Sequence, residues 1–121
     1  MKALLIAGAL IALAPAAAVA ADLSGSWKID GAFDAMGIKY QVTCDLKEDG
    51  GKLAGACKGP QGEAIQATGS EGDGKAVISY DTTYNGSPVH LDYKGDEQAD
   101  GTLKGIIDAG AAQGTFSAAK Q

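Results

Sequence analysis

The chain has 121 residues, 45% of them hydrophobic, with fifteen acidic and ten basic side chains and a formal net charge of −5. That length bounds one small domain. The sign of the charge excludes a protein built to grip phosphate backbones, since nucleic-acid binding rests on basic contacts, and it disfavours anionic membrane surfaces.

The chain begins Met1-Lys2, continues with an apolar run over 3–13 and reaches Ala18-Val19-Ala20. A charged start, a short apolar core and small residues at a cleavage point predict a bacterial-type secretory signal over 1–20, cut after Ala20 or one residue later. The run is shorter than the ~20 residues of a spanning helix. No cysteine follows it for lipidation, and no later stretch is apolar enough to cross a bilayer, so no stable membrane insertion is expected after cleavage. Residues 21–121 are expected to form a single domain, periplasmic or secreted.

Gly25 to Phe33 alternates, with Trp27, Ile29, Gly31 and Phe33 on one side, which is the period of a half-buried strand. After the loop Asp34-Ala35-Met36-Gly37, pairing Phe33 with Ile38 sets Gly31 against Tyr40, Ile29 against Val42 and Trp27 against Cys44. The next turn fixes the register. Gly50 and Gly51 both tolerate positive φ and suit a two-residue hairpin loop. Counting outward, Asp49 faces Lys52, Glu48 faces Leu53, Leu46 faces Gly55 and Cys44 faces Cys57. The cysteines then fall on a non-hydrogen-bonded pair, where Cα atoms approach to about 4.5 Å, within the roughly 4.4–6.8 Å of disulfides. A redox or zinc role fails on spacing and on the number of partners. A structural disulfide between Cys44 and Cys57 is predicted, contributing roughly 3 kcal/mol by restricting the unfolded chain and agreeing with an oxidising compartment.

Lys58-Gly59-Pro60-Gln61-Gly62 is a turn cluster, after which pairing Cys57 with Ile65 sets Gly55 against Ala67. Ser70-Glu71-Gly72-Asp73-Gly74 is the next turn. Lys75 to Tyr84 reads as a strand with Ala76, Ile78, Tyr80, Thr82 and Tyr84 inward. Asn85-Gly86 is a strong hairpin signal. It pairs Tyr84 with Ser87, Thr82 with Val89, Tyr80 with Leu91 and Ile78 with Tyr93, and sets Asp81 against His90 on the outer side. Residues 95–101 read as an acidic loop. Leu103, Gly105 and Ile107 alternate inward, and a turn around Gly110-Ala111 pairs Gly105 with Phe116 and Leu103 with Ala118. Gly51-Lys52-Leu53-Ala54-Gly55 recurs as Gly101-Thr102-Leu103-Lys104-Gly105, suggesting two four-stranded halves.

The predicted fold is all-β: eight antiparallel strands in meander order, closed as an up-and-down β-barrel, with all seven aromatic residues inward. Closure removes exposed edges; a sandwich is the alternative. Alternate loops share an end. One end collects Glu48, Asp49, Glu71, Asp73, Asp96, Glu97 and Asp100. It reads as solvated turns rather than a calcium site, because no segment has the ligand spacing of a calcium loop. The other end collects residues 34–37, Pro60-Gln61, Tyr84-Asn85-Gly86 and residues 109–112, is nearly neutral, and reads as the mouth of a ligand pocket with Met36 as a flexible lip.

Chemistry of the catalytic kind has little to stand on. His90 is the single histidine, and the register puts it outside, beside Asp81, as an exposed cross-strand pair. A set using Ser79 or Ser87 with His90 has no geometric support in that register, and Glu63 and Asp92 have no carboxylate partner at a defined separation. No enzyme, metal or cofactor is expected. Two readings remain. In the first, a small apolar or aromatic ligand sits in a lining of Trp27, Phe33, Met36, Tyr40, Tyr80, Tyr84, Tyr93 and Phe116, where phenol hydroxyls supply the polar contacts. Against it, a barrel of eight strands can be only wide enough for its own side chains. In the second, an exported inhibitor or accessory subunit works on a protein partner through its loops or its Asp22-Leu23 tail.

At Gly25-Ser26-Trp27 on the first strand the chain resembles the lipocalin and calycin barrels, which share a G-x-W there. The resemblance implies a Trp27 that plugs the closed end and small apolar ligands entering opposite. The basic residue that covers this Trp in those barrels would here be Lys120. Avidin-like barrels share the motif, but their biotin cage takes several tryptophans and this chain has one. The whole pattern resembles small exported bacterial barrel proteins. Asp22-Leu23-Ser24-Gly25-Ser26-Trp27 with one disulfide is also distantly similar to periplasmic metalloprotease inhibitors, which use a tail ahead of a barrel.

Overall fold

A computed structural model describes residues 22–121, and the signal expected over 1–20 lies outside the described residues. Eight strands follow in order: β1 (Gly25–Phe33), β2 (Ile38–Asp49), β3 (Lys52–Lys58), β4 (Ala64–Gly72), β5 (Lys75–Tyr84), β6 (Ser87–Glu97), β7 (Leu103–Asp108) and β8 (Gln113–Lys120), with one 3₁₀ turn, Asp34–Met36, between β1 and β2. Each strand pairs antiparallel with the next, and β8 returns to β1 to close the barrel. The closing ladder sets Trp27 against Lys120, Ile29 against Ala118 and Gly31 against Phe116. A sandwich is thereby excluded.

Turn chemistry explains why the register is so well determined. Gly50 and Gly51 have φ of 60° and 82°, and Asn85 and Gly86 have 51° and 82°, the paired positive values of the hairpin turn whose twist suits its strands. Each turn sets the pairing of the strands it joins. Cys44 therefore meets Cys57, their Cα atoms 4.0 Å apart, and the two are disulfide-bonded. Two segments extend further than the sequence pattern suggests. β4 runs on to Gly72, leaving only Asp73-Gly74 as the turn. β6 continues through Asp96 and Glu97, which pair with Lys75 and Leu103. Poor strand formers adopt strand there because neighbouring backbone supplies partners: Glu71 and Gly72 pair with Ala76 and Lys75, the Glu71 and Glu97 amides donate to the Gly51 and Gly74 carbonyls at 2.8 Å, and Lys75 Nζ bonds Asp96 at 2.7 Å.

Burial follows the two-residue period. Trp27, Tyr93, Ile29, Ile78, Leu103, Ile107 and Val42 are almost completely buried. Together with Leu46, Leu53 and the disulfide they belong to one buried core, in which Leu46, Leu53 and Leu103 stand next to the acidic turns. The described N-terminal residues close that end. Trp27 Nε1 donates to the Leu23 carbonyl at 2.8 Å, the Leu23 amide donates to Glu48 Oε1 at 2.8 Å, and the Glu48 amide donates to Ser24 Oγ at 2.9 Å. Lys120 Nζ donates to the Asp22 carbonyl at 3.0 Å and lies 5.8 Å from the Trp27 ring centre, within reach of a cation–π contact. Leu23 is itself buried.

Candidate functional site

The opposite half of the barrel is not filled. A cavity of about 660 Å³ opens there between the loop after β1, the Pro60-Gln61 turn, the Tyr84-Asn85-Gly86 turn and the loop before β8. These are the four neutral loops, which the meander gathers at one end. The volume lies inside the roughly 300–1,000 Å³ of small-molecule sites. The walls come from inward positions of the strands: Phe33, Ile38 and Tyr40, Ile65, Tyr80 and Thr82, Val89 and Leu91. Among the described residues that line it, Glu63 is the only one with a charge. Its carboxylate accepts from the Gln61 amide at 2.9 Å, which holds it at the rim.

The predicted lining residues separate into three groups. Phe33, Met36, Tyr40, Tyr80 and Tyr84 line the cavity. Met36 and Tyr84 stand about half exposed at its lip, so Tyr84, although in register with the inward set, lies beyond the end of the core. Tyr93 and Phe116 lie outside the wall, in the packed layer below, where their rings meet edge-on with centres 5.2 Å apart. Trp27 lies at the closed end. Sequence reasoning found the mouth loops but passed over Ile65, Leu91, Val89 and Glu63 as lining. The inward period of β4 and β6 carried that signal for the first three. Glu63 falls in a turn, where no period operates.

One polar group marks the cavity floor. Tyr93 Oη lies 2.5 Å from Tyr40 Oη and 2.6 Å from Tyr80 Oη. The three phenols come from β2, β5 and β6 and meet across the lumen. Gly31 makes the arrangement possible. A Cβ at that position would stand 2.6 Å from Tyr40 Cζ, so the absence of a side chain lets the Tyr40 ring lie flat against β1. Burial pushes all three hydroxyls above the usual phenol range, and for Tyr40 the bond to Tyr93 offsets this only in part. All three are neutral donors and acceptors at physiological pH.

The outer wall carries a second cluster. His90 Nδ1 is 2.7 Å from Asp81 Oδ1, and its Nε2 is 3.0 Å from Asp92 Oδ1. Ser79 Oγ donates to the same Asp92 oxygen at 2.5 Å. Ser79 therefore bonds a carboxylate and not the imidazole, which is the wrong partner for a nucleophile that needs a base. Both ring nitrogens of His90 face carboxylates, and the bond to Asp81 above all raises its pKa. Where Gly31 thins the wall, a shallower outer depression of about 470 Å³ is lined mainly by polar outward residues such as Asp30, Lys39 and Ser117. At the acidic end, burial raises the Glu48 carboxyl, with the Glu71 and Asp22 charges adding to the effect. Among the described residues no group of three His, Cys, Asp or Glu side chains is placed to hold a metal ion, and no helix is long and apolar enough to cross a membrane.

Compared with protein families, with curated proteins and with solved structures, the chain matches none.

Proposed function

We propose that this protein is an exported, non-catalytic carrier that holds a small apolar or aromatic molecule inside its barrel. The observation that carries the reading is the cavity of about 660 Å³ at the neutral end, apolar-walled and floored by convergent phenol hydroxyls, the usual composition of a ligand site. A barrel of this size can fill itself with side chains, and the closed half does so, which makes the empty half a departure in need of a reason. The general design is lipocalin-like: Trp27 buried at the plugged end, Lys120 above it, entry opposite. Export is supported by the disulfide, which persists in oxidising compartments, and by the leader-like residues 1–20. The competing reading, an inhibitor working through its tail, is weakened because Leu23 is buried and both its amide and its carbonyl are bonded within the barrel.

Two measurements test the carrier reading. Native mass spectrometry of the protein as purified is expected to show a non-covalent adduct on the oxidised chain. Titration with Nile red, a neutral apolar dye, is expected to give blue-shifted emission that saturates at one dye per chain. Val89→Trp, which places a large ring into the cavity from its wall, should abolish that signal while far-UV circular dichroism stays unchanged. A bare chain that also leaves Nile red unbound would overturn the proposal.

A further inference from the structure

The tyrosine cluster restricts what the cavity accepts. Three hydroxyls carry three protons. Among the described residues the two outer ones, Tyr40 and Tyr80, bond only to Tyr93, so two hydrogen bonds use two of those protons. If both outer hydroxyls donated to Tyr93, its own proton would be stranded in a fully buried position, which is the costly arrangement. The protons therefore run in one direction along the chain, either Tyr40 to Tyr93 to Tyr80 or the reverse. In both cases one outer hydroxyl keeps an unused O–H and the other keeps unused lone pairs. Both outer residues line the cavity. The floor thus presents one free donor and one free acceptor, and the chain can exchange which end offers which.

Charge settles the rest. Among the described residues the lining contains no lysine, arginine or histidine, and its one charged side chain is the Glu63 carboxylate. An anion drawn down to the floor would lose water without gaining a cation, the unfavourable case for a buried charge, and would pass Glu63 on entry.

We infer that the bound molecule is neutral, with an apolar body and a hydroxyl or carbonyl head that docks on Tyr40 and Tyr80, and that carboxylate-headed amphiphiles such as fatty acids are rejected. The inference rests on the carrier reading. Its test compares three probes with one body and different heads: octan-1-ol, octanoate and 1-chlorooctane, each displacing Nile red from the oxidised protein at neutral pH. Octan-1-ol is expected to bind about tenfold or more tightly than either of the others. In a Tyr40→Phe/Tyr80→Phe variant the advantage of octan-1-ol over 1-chlorooctane should disappear while 1-chlorooctane binding stays the same. If that variant fails to fold, the series on the unmodified protein decides alone. Octanoate binding as well as octan-1-ol, or octan-1-ol binding no better than 1-chlorooctane, would overturn the inference and leave the carrier reading standing. No Nile red signal to displace would overturn both.

Discussion

Tyr93 has one proton and two phenol neighbours, and its position in the middle of the cluster makes its hydroxyl unlike the other two. Tyr40→Phe removes one bond, and Tyr40 is only half-buried, so a cost of about 1 kcal/mol follows. Tyr93→Phe removes both bonds and leaves the buried Tyr80 hydroxyl without a partner; a cost of about 2–3 kcal/mol follows. Urea denaturation of the two variants checks the order, and equal costs would mean that the hydroxyls do not act as a chain. His90 gives a second prediction, on the outer wall. Its folded pKa is raised, first by the bond to Asp81, so the stabilisation linked to its protonation is fully present below the ordinary value near 6.5 and is lost as pH rises through the folded value. An NMR titration of its ring protons should show a midpoint above 6.5, and Asp81→Asn should bring it down. The Asp81–His90 pair was legible from the register, whereas the mutual distances of the three phenols were not legible from residue types. Periodicity places Tyr40, Tyr80 and Tyr93 on one face, but their meeting depends on the barrel's radius and on the stagger of three strands, which no local pattern encodes. The opposition of Gly31 to Tyr40 was legible. Its natural reading, a small residue making room for a large one, explains the packing and conceals the cavity above it.

At the scale of the strands, nearly every pairing could be counted from the turns. The reason is physical: a two-residue loop with positive φ at both positions leaves no freedom in register, and a one-residue slip would turn an apolar face to water. The readings that fell short lie where strand formers run out, at Glu71-Gly72 and Asp96-Glu97, because pairing with neighbouring backbone overrides weak propensity. The repeated G-x-L-x-G has a structural counterpart. Leu53 and Leu103 are both buried. A Cβ on Gly55 would stand 2.1 Å from the Asp45 carbonyl oxygen, and one on Gly105 would stand 1.9 Å from that of Lys94. In β3 and in β7, then, the second glycine lets the preceding strand approach where the sheet coils, as barrel closure requires. Gly105→Ala is expected to cost at least about 3 kcal/mol, because backbone rather than a flexible side chain must move. Gly72→Ala, with nothing within 4 Å of the new methyl group, should stay within about 0.5 kcal/mol. Thermal unfolding of the pair, each in the oxidised form, measures the contrast.

For the whole molecule the division into a packed half and an open half assigns stability and binding to different places. Cys44 pairs with Trp27 on one side and Cys57 on the other, and Cys57 pairs in turn with Ile65 of the cavity wall, so the disulfide sits in the buried core beside the cavity without lining it. Its sequence separation of 13 residues is short, and the strands it joins are already neighbours held by a tight turn. What it removes is mainly the freedom of the unfolded chain, for which a loop of this length gives roughly 3 kcal/mol. Replacing both cysteines by serine should therefore lower the melting temperature by about 10–20 °C while leaving the far-UV circular dichroism of the barrel intact. The cavity, whose lining includes neither cysteine, should bind Nile red with the same affinity in the cysteine-free protein when measured well below its melting point. A loss of dye binding at a temperature where the variant is still folded would mean that the two halves are coupled and that the disulfide shapes the mouth as well as restraining the chain. Retained binding with reduced stability would show that the open half draws its shape from the strand register alone, which the glycine turns set.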